Sequence, residues 1–119
     1  MARILIVDDE PLIAMIAEEW LEEMGHATVG PAHNLEAALT LAEDDLDGAI
    51  LDLRLGQNDS YPVASRLKER GVPIAFATGY PLDPSDPQHQ GVAQLPKPYD
   101  FATFRTVVEG LLNAKTPPR

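Results

Sequence analysis

Five short apolar runs, separated by loops and amphipathic stretches, constrain this chain of 119 residues more than any other feature. They are Arg3–Val7, Ala27–Ala32, Ala49–Leu51, Val72–Ala77 and Ala93–Leu95. The first, Arg3-Ile4-Leu5-Ile6-Val7, is rich in β-branched residues and ends on acids. That pattern suits a central strand buried on both faces, which in turn requires helices on both sides of a parallel sheet.

The intervening stretches supply those helices. Pro11 fits a first helical turn, and Ile13, Ile16, Ala17, Trp20, Leu21 and Met24 recur at spacings of three and four before Gly25 ends the stripe. Trp20 is therefore assigned to the core, and Glu18, Glu19, Glu22 and Glu23 to a solvated face. Asn34 caps an expected helix from Leu35 to about Glu43, through Ala38, Leu39 and Ala42. Leu53 to Asp59 reads as a loop, and Ser60 as the cap of a short helix that passes Val63, Ala64 and Leu67 and stops near Gly71. Pro81, Pro84 and Pro87 fall within seven residues, so any fourth helix is short or irregular. Asp100 caps the clearest stripe, Phe101, Phe104, Val107, Val108, Leu111 and Leu112.

Strand and helix thus alternate five times with right-handed crossovers, which predicts an α/β fold. The expected form is a flavodoxin-like (βα)5 doubly wound parallel sheet of strand order 2-1-3-4-5. One domain over residues 1–113 is expected, with 114–119 as a disordered tail.

Function enters through the strand ends. In the order 2-1-3-4-5 the first and third strands are neighbours where the winding reverses, and ligands bind outside the carboxyl ends there. Asp8 and Asp9 follow the first strand and Asp52 ends the third, so three carboxylates share one crevice. Their mutual repulsion is relieved by a hard divalent cation, and Mg²⁺ prefers oxygen ligands and commonly bridges carboxylates to phosphate. Asp52, alone on its strand, is the best nucleophile for a phosphoryl group. Thr78 after the fourth strand and Lys97 after the fifth offer a hydroxyl and an ammonium at the same edge, and Gly79 lets the backbone come close.

Each feature has an ordinary reading taken singly. Asp8-Asp9-Glu10 can cap a helix, Asp52 can be a turn residue, Thr78-Gly79 can form a turn, and Lys97 can be a surface lysine. Four such features at four strand ends are harder to explain separately. His26, His33 and His89 show no ligand spacing and read as surface or loop residues.

Composition removes other classes. Nine Lys and Arg against nineteen Asp and Glu give a formal net charge of -10, the wrong sign for direct nucleic-acid binding. With no cysteine there are no disulfides or thiolate metal sites. Met1 to Val7 is too short for a signal peptide or a membrane span, so a cytoplasmic protein without membrane insertion is expected.

The acidic pair Asp8-Asp9, Asp52, Thr78 and the Lys97-Pro98 dipeptide, in that order and spacing, resemble the receiver domain of two-component response regulators over nearly the whole chain. The resemblance implies a phosphoprotein, not a conventional enzyme. Asp52 would take a phosphoryl group from a histidine kinase or phosphotransfer protein with Mg²⁺ as cofactor, and the chain would catalyse its own phosphorylation and slow dephosphorylation. It further implies metal ligation by Asp9, Asp52 and the Arg54 main-chain carbonyl, with Asp8 assisting through water. Pro73 and Phe76-Ala77-Thr78-Gly79-Tyr80 resemble the stand-alone "FAT GUY" subgroup, whose members are associated with HWE-type histidine kinases and stress-response phosphorelays. Receivers usually carry a Tyr or Phe three residues before the lysine, and here that position is Gln94. The switch residues implied are Thr78, Gly79, Tyr80 and Gln94, with the segment from Gly79 to Gln90 as the part that responds.

Signalling through contacts with a downstream protein target is the favoured reading. A phosphate sink, a pseudo-receiver that only binds protein, and a Mg²⁺-dependent phosphate-ester hydrolase are the alternatives. Arg54, two residues after Asp52, argues against the last, because such hydrolases typically have an acid there.

Overall fold

The computed structural model describes residues 1–83 and 85–115. Five parallel strands form the main sheet: β1 (Arg3–Val7), β2 (Ala27–Ala32), β3 (Gly48–Asp52), β6 (Ile74–Thr78) and β7 (Ala93–Pro96). Their order is β2-β1-β3-β6-β7, the 2-1-3-4-5 topology expected. Four helices flank the sheet: α1 (Pro11–Glu23), α2 (Leu35–Leu41), α3 (Tyr61–Glu69) and α4 (Phe101–Lys115).

Side chains of β1 alternate between two cores, as a period of two requires. Leu5 and Val7 join Leu51 and Phe76 under Ala38, Val63 and Leu67, so α2 and α3 cover one face. Ile4 and Ile6 join Ile50, Ala75 and Leu95 under Ala17, Leu21, Phe104 and Val108, so α1 and α4 cover the other. Each fully buried Leu, Ile or Phe contributes about 1.5–3 kcal/mol. Both faces of β3 and β6 are covered, and every residue of these two strands is buried.

Local signals set the element ends. Pro11 opens α1, and Gly25 follows it at φ +83°. Asn34 accepts from the Ala37 amide at 2.8 Å, and Asp100 accepts from the Thr103 amide at 2.8 Å, so both expected caps form. Gly30 holds φ +94°, and a Cβ there would lie 2.8 Å from the Ala32 amide nitrogen. Only glycine fits this point, where the β1–β2 register shifts.

Three readings of the sequence need correction. The stretch 53–59 is not a plain loop, because Arg54–Leu55 (β4) and Asn58–Asp59 (β5) pair as a small antiparallel hairpin around Gly56 at φ +64°. Ser60 occupies the cap position of α3, but its hydroxyl makes no capping bond and is buried without a partner. Asp59 instead accepts from the Tyr61 amide at 3.0 Å. The α1 stripe is only partly covered: Ile16 is exposed and Trp20 half-buried, its ring set among Tyr99, Phe101 and Phe104. The histidines do lie in loops, with His33 exposed and His89 between β6 and β7, although the His89 side chain is only 9% exposed and packs against Phe76.

Between β6 and β7 the only helical element among the described residues is a 3₁₀ turn, Pro87–His89, in keeping with a short, irregular fourth helix. α4 extends through Lys115, and residues 116–119 of the expected tail lie outside the described residues. No helix among the described residues is long and apolar enough to cross a membrane.

Candidate functional site

Parallel pairing brings the strand ends together. Val7 is in register with Leu51, Asp52 with Ala77, and Thr78 with Pro96. The residue that ends or follows each strand therefore reaches the same edge. Asp8 and Asp9 leave β1, Asp52 ends β3, Thr78 ends β6 and Lys97 follows β7.

Lys97 Nζ lies at the centre of the acids. It is 2.9 Å from Asp8 Oδ2, 3.4 Å from Asp52 Oδ2 and 3.6 Å from Glu10 Oε1. Asp8 is buried and doubly fixed, because its Oδ1 also accepts from the Glu10 amide at 2.9 Å. His33 Nδ1 donates to the Asp8 carbonyl at 3.0 Å, which adds a tie on the main chain of the same residue. Asp9 is exposed, and its Oδ2 accepts from the Gly56 amide at 2.8 Å, so the β4–β5 hairpin is fastened to the crevice. Asp52 Oδ1 faces the Arg54 amide at 3.4 Å.

The electrostatics follow from this crowding. Burial pushes the Asp52 carboxyl up from 3.8 to about 7; Lys97 opposes the shift, and the Asp8 charge and a hydrogen bond with Asp9 reinforce it. For Lys97, burial alone would lower the pKa, but the hydrogen bond and charge of Asp8 and the charge of Asp52 outweigh it and raise it. Tyr99 is held protonated, first by burial and then by the fields of Asp8, Asp52 and Glu10.

Oxygens of Asp8, Asp9, Glu10 and Asp52 all lie within 4.8 Å of one another. The donor set is carboxylate throughout, without thiolate or imidazole, which fits a hard cation such as Mg²⁺ and not a soft one. Glu10 was absent from the expected ligand set, as was Tyr99 from the expected surroundings. The run Asp8-Asp9-Glu10 and the two-residue step from Lys97 to Tyr99 were the available signals.

Thr78 is buried, and its Oγ1 accepts from the Tyr80 amide at 3.2 Å. A Cβ on Gly79 would meet only the Lys97 carbonyl oxygen, at 3.9 Å, so there is open space beside this backbone. Gln94 lies back from the acids in mid-β7, in register with Phe76. Its carboxamide contacts the Tyr80 carbonyl at 3.2 Å and the Leu82 amide at 3.5 Å.

Comparison with known proteins gives a consistent result. The profile of the response regulator receiver domain matches residues 4–109. The chain is 42% identical over 83 residues to the phyllosphere-induced regulator PhyR of Methylorubrum extorquens, a match covering 66% of this chain and 31% of that protein. The solution structure of SdrG from Sphingomonas melonis is 40% identical with a TM-score of 0.76, covering 94% of this chain and 97% of that one. The crystal structure of the response regulator TrrA from Thermotoga maritima, in complex with Mg²⁺ and BeF, is 32% identical with a TM-score of 0.81, covering 94% of this chain and 100% of that one. The curated relatives include longer proteins, of which the chain spans about a third.

Proposed function

Because the chain belongs to the response regulator receiver domain family of two-component signalling, we propose that Asp52 accepts a phosphoryl group from a histidine kinase, of the HWE type, or from a phosphotransfer protein. The position of Lys97 Nζ, between Asp8 and Asp52 at the carboxyl edge of the sheet, carries this reading. An Asp52 oxygen attacks phosphorus as the P–N bond to the donor imidazole breaks, and the imidazole takes up a proton as it leaves. Lys97 supplies positive charge and Thr78 a hydroxyl to the transferred oxygens, with no rearrangement of the strands that hold them.

Asp8, Asp9, Asp52 and the Arg54 main-chain carbonyl would hold Mg²⁺, which supplies charge neutralisation on the phosphoryl oxygens. Glu10 is a further carboxylate within its reach. Thr78, Gly79, Tyr80 and Gln94 form the switch, and residues 1–113 the receiver unit. The modified protein then signals in the cytoplasm through contacts with a downstream protein target.

Incubation with acetyl phosphate and Mg²⁺ tests the acceptor. The expected result is one acid-stable, hydroxylamine-sensitive acyl phosphate per chain, lost in Asp52→Asn. Stoichiometric labelling that persists in that variant would refute the assignment.

A further inference from the structure

Resting on the reading of Asp52 as acceptor and Thr78 as its hydroxyl partner, we infer that Gln94 is a positioning residue. Its carboxamide grips the backbone of Tyr80 and Leu82 and carries the response from Tyr80 to Leu82, within residues 79–82 instead of the whole segment to Gln90.

The geometry divides the segment into two parts. The Tyr80 residue is held on both sides: its amide donates to Thr78 Oγ1 at 3.2 Å, and its carbonyl accepts from Gln94 Nε2 at 3.2 Å. Gln94 Oε1 then accepts from the Leu82 amide at 3.5 Å. One carboxamide thus donates and accepts across a short piece of backbone as a neighbouring strand would, while Pro81 has no amide to contribute. A Thr78 hydroxyl that turns about χ1 toward the crevice carries its acceptor lone pair away from the Tyr80 amide. The carboxamide is then the remaining tie on that residue. Tyr80 is 79% exposed, so its packing offers little to oppose the movement.

The far part is anchored independently. His89 Nδ1 donates to the Asp83 carbonyl at 2.9 Å, which leaves Nε2 to accept from the Tyr61 hydroxyl at 2.7 Å. Lys68 Nζ donates to the Gln88 carbonyl at 3.0 Å. The His89 ring also packs against Tyr61 and Phe76. These ties come from α3, from Phe76 in β6 and from Asp83, and none involves Thr78.

Amide hydrogen exchange on the full chain, with and without Mg²⁺ and beryllium fluoride as the phosphoryl mimic, tests this division. In the wild type, exchange at Tyr80 and Leu82 should change by about fivefold or more on adding the mimic, while Gln88 and His89 stay within about twofold. Gln94→Met keeps length and removes the carboxamide. It should raise metal-free exchange at Leu82 and abolish the response of that amide to the mimic, while Tyr80, still held by Thr78, continues to respond. Leu82 behaving as in the wild type, or a uniform change through Gln90, would overturn the inference.

A wild type that neither takes acetyl phosphate nor responds to the mimic would instead overturn the acceptor reading. The positioning role is then decided in metal-free protein by combining Thr78→Val with Gln94→Met. Non-additive effects on Leu82 exchange support it, and additive effects refute it.

Discussion

Asp52→Asn should make the metal-free protein more stable at pH 8, although it removes a charge that faces Lys97. In the fold the Asp52 carboxyl ionises at about 7, against 3.8 as its ordinary value, first because it is buried and then because Asp8 stands beside it. Between those values the folded chain binds a proton that the unfolded chain releases, so stability falls as pH rises from about 4 to about 7. At about 1.36 kcal/mol per unit, the full shift corresponds to at most about 4 kcal/mol by pH 8. Asparagine does not ionise, yet it gives up the Lys97 contact at 3.4 Å, so the net gain expected is about 1–3 kcal/mol. Urea unfolding in EDTA at pH 5 and pH 8 measures it. The variant's advantage should be clear at pH 8 and shrink at pH 5, and Mg²⁺ at pH 8 should stabilise the wild type far more than Asp52→Asn. A variant less stable than wild type at pH 8 would show that the Lys97 attraction outweighs burial and repulsion, and the account of the crevice would be wrong.

Lys97→Met removes the charge that opposes the upward shift of Asp52. The Asp52 carboxyl should therefore titrate higher by NMR, and acetyl phosphate labelling should slow by about 10²-fold or more. Ser60→Ala should be neutral or stabilising by up to about 1 kcal/mol in urea, because the Ser60 hydroxyl is buried without a partner. Asp59→Ala, which removes the acceptor for the Tyr61 amide, should cost about 1 kcal/mol in the same assay. Phe104→Ala empties a fully buried site beside Trp20 and Tyr99. It should cost about 3–5 kcal/mol and shift Trp20 fluorescence.

The strand order was legible because five apolar runs and the spacing between them leave few ways to cover both faces of a sheet. The crevice followed from topology, since an acid at the end of one strand and a pair after its neighbour must meet once the strands are parallel. The caps at Asn34 and Asp100 were legible for the same local reason, a short polar acceptor ahead of an apolar stripe.

What escaped depended on contacts that leave no spacing or periodicity in the sequence. Ser60 looks like a cap, but its neighbour Asp59 reaches the amide and leaves the hydroxyl inside. His89 has no ligand spacing, and its role is set by Tyr61, 28 residues away. Glu10 passes for an ordinary helix-start acid until Lys97 is placed 3.6 Å away. The hairpin of β4 and β5 has strands of two residues each, too short to show any periodicity.

The pairing of β1 with β3, which sets Ile4 against Gly48, also bears on how the protein folds. Closing that pair means bringing together positions separated by a helix, a strand and a second helix, a non-local step of the kind that slows folding. Until it closes, Asp8 and Asp52 are distant along the chain and their repulsion is absent. A cation held by these acids would recognise only the assembled molecule, so its binding energy would reach the whole cooperative unit, about 2.7 kcal/mol at a hundred times its dissociation constant. The acids that oppose this closure without metal would thus become, with metal bound, a lock on it.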